Sequence, residues 1–318
     1  MKVKLKQEID QEIQDQEVSR LWNVDRNLHR WDKEHYSKDN IEIHHVLKRQ
    51  DMTLNYLDGL NLEKGAKVLE LGFGAGQMAK RILDQGYEYY GIDISELLAG
   101  AASDRCSEYV EKGSAHFMVG SIEHDFNLDS KTFDAVLVCG ALQYLGKPQN
   151  CFKEVSRVLK NNGSFIVCQA NMYSLREMVR IRHLALKIQN FAMREEFLYS
   201  PCFKSLLTET KLKKYFKKYE KSKWMNSKFM IKGYDLHTFD IKKRMYSYWR
   251  LKSLLKNAEF ETIDASGATF IFPKNNTFKK LFTFFNAALQ KASDKKLVPF
   301  LFAYADNIIL STTKKKMT

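Results

Sequence analysis

The sequence predicts an α/β fold, a parallel sheet with helices on both faces. Three observations carry that expectation. Lys67-Val-Leu-Glu-Leu-Gly-Phe-Gly-Ala-Gly-Gln77 reads as a buried strand, a glycine-rich turn and then a helix, Met78–Leu83. Residues 61–170 go on alternating strand-like and helix-like runs, with turn signals between them. Four segments, Gly72–Gly76, Asp93–Ile94, Ser121–Ile122 and Cys139–Leu142, fall at predicted carboxyl ends, the edge where such sheets bind ligands.

Each element has its own justification. Val68–Leu71 is apolar apart from Glu70, as a strand covered on both faces would be. Tyr89–Ile94 is a second run ending in an acid, and Phe117–Glu123 a third strand with its end. Phe133–Cys139 is the fourth. A helix over Phe152–Lys160 is stopped by Asn161-Asn-Gly163, residues that tolerate the left-handed turn at a helix end. Ser164–Cys168 is the fifth strand, Glu261–Ala265 the sixth and Asn307–Thr312 the seventh.

The glycines separate two ligand classes. A dinucleotide loop has the order G-x-G-x-x-G. Here Gly72, Gly74 and Gly76 follow G-x-G-x-G, and Gln77 stands where the dinucleotide loop has glycine. Asp93 lies 21 residues beyond Gly72, near the spacing of roughly 20 at which a carboxylate reaches ribose hydroxyls. With Glu70 two residues ahead of the first glycine, residues 60–170 resemble the type-11 methyltransferase domain. That group of class I S-adenosylmethionine (SAM) enzymes includes the ubiquinone and menaquinone C-methyltransferases.

The resemblance implies a Rossmann-like, seven-stranded sheet whose last strand runs antiparallel between strands five and six. It implies SAM as cofactor. Glu70 and the loop Gly72, Phe73, Gly74 and Gly76 would face the methionine part, and Asp93 the ribose. Ile94 and Ile122 would flank the adenine. Ser121 stands where the family usually has Asp, and a hydroxyl accepts the adenine amine more weakly than a carboxylate. Cys139 would offer a backbone carbonyl to the methionine amine, with Leu142 on the same edge. The family's helices ahead of strand one close over the methionine end, which makes residues 1–60 an expected helical lid.

The lid region shows apolar residues at helical spacing, Ile9 to Trp22 and again over Ile41–Leu60. Residues 61–170 are the expected cofactor core and 171–240 a basic helical insertion. The insertion contains a helix over Met172–Asn190 and the run Lys211–Tyr219, where lysines alternate with aromatics. Residues 241–318 complete the sheet, beginning with a helix over Ile241–Asn257 whose apolar face is Trp249, Leu251, Leu254 and Leu255. Within the long connection 266–304, Phe278, Leu281, Phe282, Phe284, Phe285 and Leu289 form a helix expected to pack in the core; peripheral membrane contact is its other reading. The tail Lys314–Lys316 reads as solvated.

Charge is divided along the chain. Residues 1–170 hold 21 Lys/Arg and 26 Asp/Glu, a balance of −5, and residues 171–318 hold 30 and 12, a balance of +18. The basic half points to an anionic acceptor, a small or medium phosphate-, nucleotide- or lipid-linked metabolite. RNA is the alternative, with the basic half as its groove, although no RNA-binding module is recognisable. A catalytically silent partner protein of the same fold is the third reading. Five scattered cysteines without C-x-x-C spacing argue for reduced thiols, and no cluster has metal-ligand spacing. No run approaches the ~18 apolar residues of a transmembrane helix, and the charged start lacks a signal-peptide core, so the cytoplasm is the expected compartment.

Methyl transfer needs a base only when the acceptor arrives protonated. His237, before the helix leading to strand six, and His35 with Tyr36, from the lid, are the catalytic candidates on the acceptor side. A lone histidine is usually structural or exposed.

Overall fold

The computed structural model describes residues 11–23, 28, 41–175, 197–199, 243–270 and 279–314. In chain order the elements are α1 (Gln11–Trp22), α2 (Ile41–Asp58), β1 (Lys67–Leu71), α3 (Gln77–Leu83), β2 (Glu88–Asp93), α4 (Glu96–Arg105), α5 (Ser107–Glu111), β3 (Ala115–Val119) and β4 (Phe133–Cys139). A short 3-10 turn at Leu142–Tyr144 precedes α6 (Pro148–Val158) and β5 (Leu159–Ala170). There follow β6 (Phe197–Tyr199), β7 (Lys243–Met245), α7 (Tyr248–Asn257), β8 (Phe260–Ala268), α8 (Lys279–Asp294) and β9 (Asn307–Lys314).

The main sheet has the order β3-β2-β1-β4-β5-β9-β8. β1 to β5 pair in parallel, and β9 runs antiparallel to both β5 and β8. This is the class I methyltransferase sheet, with the seventh strand placed between the fifth and sixth.

Strand periodicity builds two cores at once, because successive side chains point to opposite faces. Leu69, Leu71, Val136, Val138, Phe165, Val167, Ile308 and Leu310 face one side, under Phe152 and Val155 of α6 and Leu251, Leu254 and Leu255 of α7. Val68, Ala135, Leu137, Ile166 and Ile309 face the other, under Met52, Leu54 and Leu57 of α2 and Met78 and Ile82 of α3. Asn161-Asn-Gly163, read as a helix stop, lie inside β5 instead, where Asn162 takes the left-handed conformation, φ 66°, and the pairing with β4 shifts register.

Three further expectations are corrected. The helix predicted from Ile241 begins at Tyr248, because the Ser247 hydroxyl caps it by accepting from the Arg250 N–H (3.2 Å). Residues 243–245 instead form β7, antiparallel to β6, and Trp249 is exposed rather than core. The phenylalanine-rich helix does form as α8, but Phe284 and Phe285 face solvent. Lys314, read as part of a solvated tail, ends β9 and donates to the Ser156 carbonyl (2.6 Å).

Candidate functional site

The site is the carboxyl edge of β2, β1 and β4, which lie side by side. Gly72, Gly74 and Gly76 have φ of 76°, 58° and 77°. A Cβ on Gly72 would lie 2.5 Å from the Ala141 Cβ, and one on Gly76 would lie 2.9 Å from the Ala102 Cα. Glycine is therefore required here on two grounds, conformation and space. The Phe73 side chain does not reach the edge. It is buried beneath Gly91 and packs edge-on against Phe117, so this residue offers the site its backbone.

Asp93 ends β2 and braces the loop. Its carboxylate accepts from the Gly74 N–H (2.9 Å) and the Ser95 N–H (3.1 Å). Burial lifts this carboxyl to about 6, opposed by the hydrogen bonds from Gly74, Ser95 and Ile94. Glu70, one strand over, is also buried, and Tyr89 donates to it (2.8 Å). Burial raises Glu70 to about 8, opposed by the Tyr89 bond, with the neighbouring Cys139 and Asp93 pushing the same way as burial. A neutral Glu70 at pH 7 leaves Asp93 as the ionised acid of this edge.

At the end of β4, Gly140 has φ 86°, and a Cβ there would lie 3.3 Å from the Arg49 guanidinium. Arg49 comes from α2, far off in sequence, and was not singled out as a site residue. The helix is amphipathic, and Arg49, Gln50 and Thr53 are polar residues among its sheet-facing apolar ones; Gln50 and Thr53 are buried. Cys139 is half-buried and faces Cys168 across the strand pair. Its thiol is held below the usual range by a hydrogen bond from Cys168 and by the Arg49 charge, while Cys168 is pushed up. Leu142 is fully buried in the core, so only its backbone lies near the edge; Tyr246 donates to its carbonyl (3.4 Å).

Beyond β3, Ser121 is half-buried and its hydroxyl accepts from the Glu123 N–H (3.3 Å), while Ile122 is buried. Glu123 is a second residue the sequence reading passed over. Its carboxylate accepts from Gly146 (2.8 Å) and Lys147 (2.6 Å) and fixes the loop after β4.

Helix α1 lies across these strand ends. Gln14 donates to the Tyr144 carbonyl (3.0 Å), and Trp22 meets Tyr144 edge-to-face at 6.5 Å. Asp15 lies 3.3 Å from His124. Ser95 donates to Asn23 Oδ1 (2.9 Å), which also accepts from the Leu97 N–H (3.1 Å). Ile94, half-buried, lies beside this contact. Helix α2 instead packs on the sheet face.

On the acceptor side, His35, Tyr36 and His237 lie outside the described residues, as do residues 176–190 of the helix expected over Met172–Asn190, whose residues 172–174 are not helical, and the lysine run 211–219. The ends of the insertion are placed. β5 ends at Ala170, Asn171 bridges to Tyr246, and Arg244 donates to the carbonyls of Leu145 (2.8 Å) and Gly146 (2.5 Å). Residues 170–171 and 244–246 therefore meet at the edge that carries the glycine loop. Among the described residues no group of three or more His, Cys, Asp or Glu could hold a metal ion, and no helix is long and apolar enough to cross a membrane.

The residues at this edge suit a ligand with hydroxyl donors at one end and a carboxylate at the other. A buried acid stands at the β2 end, a guanidinium at the β4 end, and a glycine cradle between them. Residues 69–167 match the family described as "Methyltransferase domain", and the strand order around them is that of the class I methyltransferase fold. A demethylmenaquinone methyltransferase of Tropheryma whipplei (strain Twist) is 28% identical over 110 residues, 35% of this chain and 44% of that protein. A ubiquinone biosynthesis O-methyltransferase of Azoarcus sp. is 26% identical over 120 residues, 38% and 51% of the two chains. The chain thus spans about half the length of these relatives. Among solved structures, magnesium protoporphyrin IX methyltransferase from Synechocystis with bound SAH superposes with a TM-score of 0.55 at 14% identity, over 95% of this chain and all of that one. That last likeness speaks for the fold.

Proposed function

We propose that the protein is a SAM-dependent methyltransferase acting on a small or medium, anionic acceptor that is phosphate-, nucleotide- or lipid-linked. The observation that carries the reading is the row formed by Asp93, the Gly72–Gly76 loop and Arg49 along one sheet edge. SAM, when bound, would supply a methyl carbon activated by its sulfonium, so that the acceptor bonds to that carbon in line as the carbon–sulfur bond breaks and the neutral thioether leaves. The chain's work is then positioning and shielding from water. Asp93 accepts from the ribose hydroxyls, the glycine loop admits the ligand to the backbone, and Arg49 holds the amino-acid carboxylate. Ser121 and Ile122 border the adenine with Ile94, and α1 is the lid that excludes water. His35, Tyr36 and His237 are the candidates to take a proton from a protonated acceptor.

The anionic acceptor is supported by the balance of +18 in residues 171–318 and by the anchoring of the insertion at the ligand edge. The quinone-pathway names of the relatives support a small-molecule acceptor. The test is SAM turnover against a panel of phosphorylated, nucleotide-linked and lipid-linked acceptors, repeated with Lys213, Lys214, Lys217 and Lys218 all changed to Gln. The reading expects turnover with an anionic acceptor, a raised KM for it in the variant, and unchanged SAM affinity. Failure to bind SAM, or turnover confined to neutral acceptors, would refute it.

A further inference from the structure

Helix α8 packs with its polar side inward. Asn286 accepts from the Phe270 N–H (2.7 Å). Gln290 accepts from the Thr269 N–H (3.1 Å) and donates to the Gly267 carbonyl (2.7 Å). Ser293, on the same stripe, is buried. Asn286 and Gln290 thereby satisfy backbone groups at the end of β8, the edge strand of the sheet among the described residues. The cost is that the opposite stripe faces outward. Phe284 is 68% exposed and Phe285 48%, and the two rings meet edge-to-face at 5.9 Å. Ala287, Ala288 and Lys291 are exposed beside them. The chain leaving the helix adds Leu297, 68% exposed, with Val298 and Phe300 exposed as well.

Lysines predominate around this face, with Asp294 the one exposed acid on the described part of the helix. Residues 269–306 contain six lysines and two aspartates. Asp306 is buried, and Asp294 accepts from Gln290 (2.8 Å). Lys291 and Lys295 stay exposed on the outward stripe, and Lys296 is exposed while paired with Asp264. Aromatic and aliphatic side chains bordered by lysines are the composition of a helix lying in the headgroup layer of an anionic bilayer.

Position agrees. Ala268 at the end of β8 pairs with Asn307, which pairs with Ala170 at the carboxyl end of β5. Gln290 is bonded at residues 267–269 and Asn286 at 270, so α8 runs antiparallel to β8. Phe284 and Phe285 therefore project past the sheet edge that carries the glycine loop.

We propose that the outward face of α8, with the loop 297–300, docks this protein on an anionic lipid surface. The proposal is independent of which acceptor is methylated and of whether SAM binds. The test is co-sedimentation of the full chain with vesicles of phosphatidylcholine containing phosphatidylglycerol, and with phosphatidylcholine alone. The wild type binds the anionic vesicles, more weakly as salt is added. Replacing Phe284, Phe285 and Phe300 together with Ser lowers the partition coefficient at least roughly tenfold, since one fully buried aromatic is worth about that factor. The variant Lys291→Glu/Lys295→Glu, which keeps the apolar residues, loses binding to anionic vesicles only. Circular dichroism melts establish that both variants are folded. Three results would overturn the proposal: a wild type that ignores anionic vesicles, a folded serine variant that binds as well as wild type, or a wild-type dimer that the serine variant dissociates, which would make the face a contact between copies.

Discussion

Asp93→Asn separates ligand binding from folding at this edge. The buried carboxylate accepts two backbone N–H groups, from Gly74 and Ser95. An asparagine oxygen can keep one of them, and its amide then turns a donor toward the other. Leaving one buried donor unsatisfied costs about 1–3 kcal/mol. Against this, removing the charge releases the burial penalty. The carboxyl is raised from 3.8 to about 6; a shift of that size corresponds to about 3 kcal/mol. The two effects nearly cancel, so the melting temperature should move by only a few degrees. Ligand binding should not be spared, because ribose hydroxyls donating to a carboxylate are charge-assisted bonds of about 1.5–3 kcal/mol each. Loss of the charge should raise the Kd for SAM at least roughly tenfold. The pH dependence gives a second reading. The ionised acid is the form that accepts both hydroxyls, so wild-type affinity should hold above pH 6 and fall about tenfold for each unit below it. The asparagine variant should show no such fall. Calorimetry between pH 5 and 7.5, with melts in parallel, makes both measurements. A folded variant that binds SAM like wild type, or a wild type whose affinity ignores pH across this range, would remove Asp93 from the ligand.

Three further outcomes follow from the same edge. Arg49→Gln should weaken SAM about tenfold and slow alkylation of Cys139, whose thiol Arg49 helps hold below its ordinary range; the alkylation rate, followed by mass spectrometry, checks the second effect without any cofactor. Gly76→Ala puts a side chain at φ 77° and within 2.9 Å of the Ala102 backbone, so it should destabilise the fold by roughly 2–5 kcal/mol in denaturant titration. Glu70, raised from 4.5 to about 8, favours the folded state fully below pH 4.5, and that contribution is lost as pH rises through 8. Glu70→Gln keeps an acceptor for Tyr89, and its melting temperature should therefore decline less than wild type between pH 5 and 8.

What could be read from the sequence was local or periodic. The order of Gly72, Gly74 and Gly76 reports positive φ, and all three adopt that conformation. A near-continuous apolar run marked β4 at Phe133–Cys139 to the residue, because a strand covered on both faces leaves few polar positions. The spacing of Asp93 from the first glycine is set by one strand–helix–strand unit, so the carboxylate and the loop had to meet; they do so as a hydrogen bond to Gly74. Tertiary packing decided the rest. Arg49 reaches Gly140 only because Met52, Leu54 and Leu57 seat α2 on the sheet face over Ala135, Leu137 and Ile166, and no pattern around residue 49 names that partner. The protonation of Glu70 follows from burial, which sequence does not state. Helix α8 shows the limit most directly. Its phenylalanines predicted a core face, but the edge strand β8 ends in backbone groups that need partners, and Asn286 and Gln290 supply them. A buried backbone group without a partner costs about as much as an exposed aromatic does, so the polar side turned inward and Phe284 and Phe285 were left facing out.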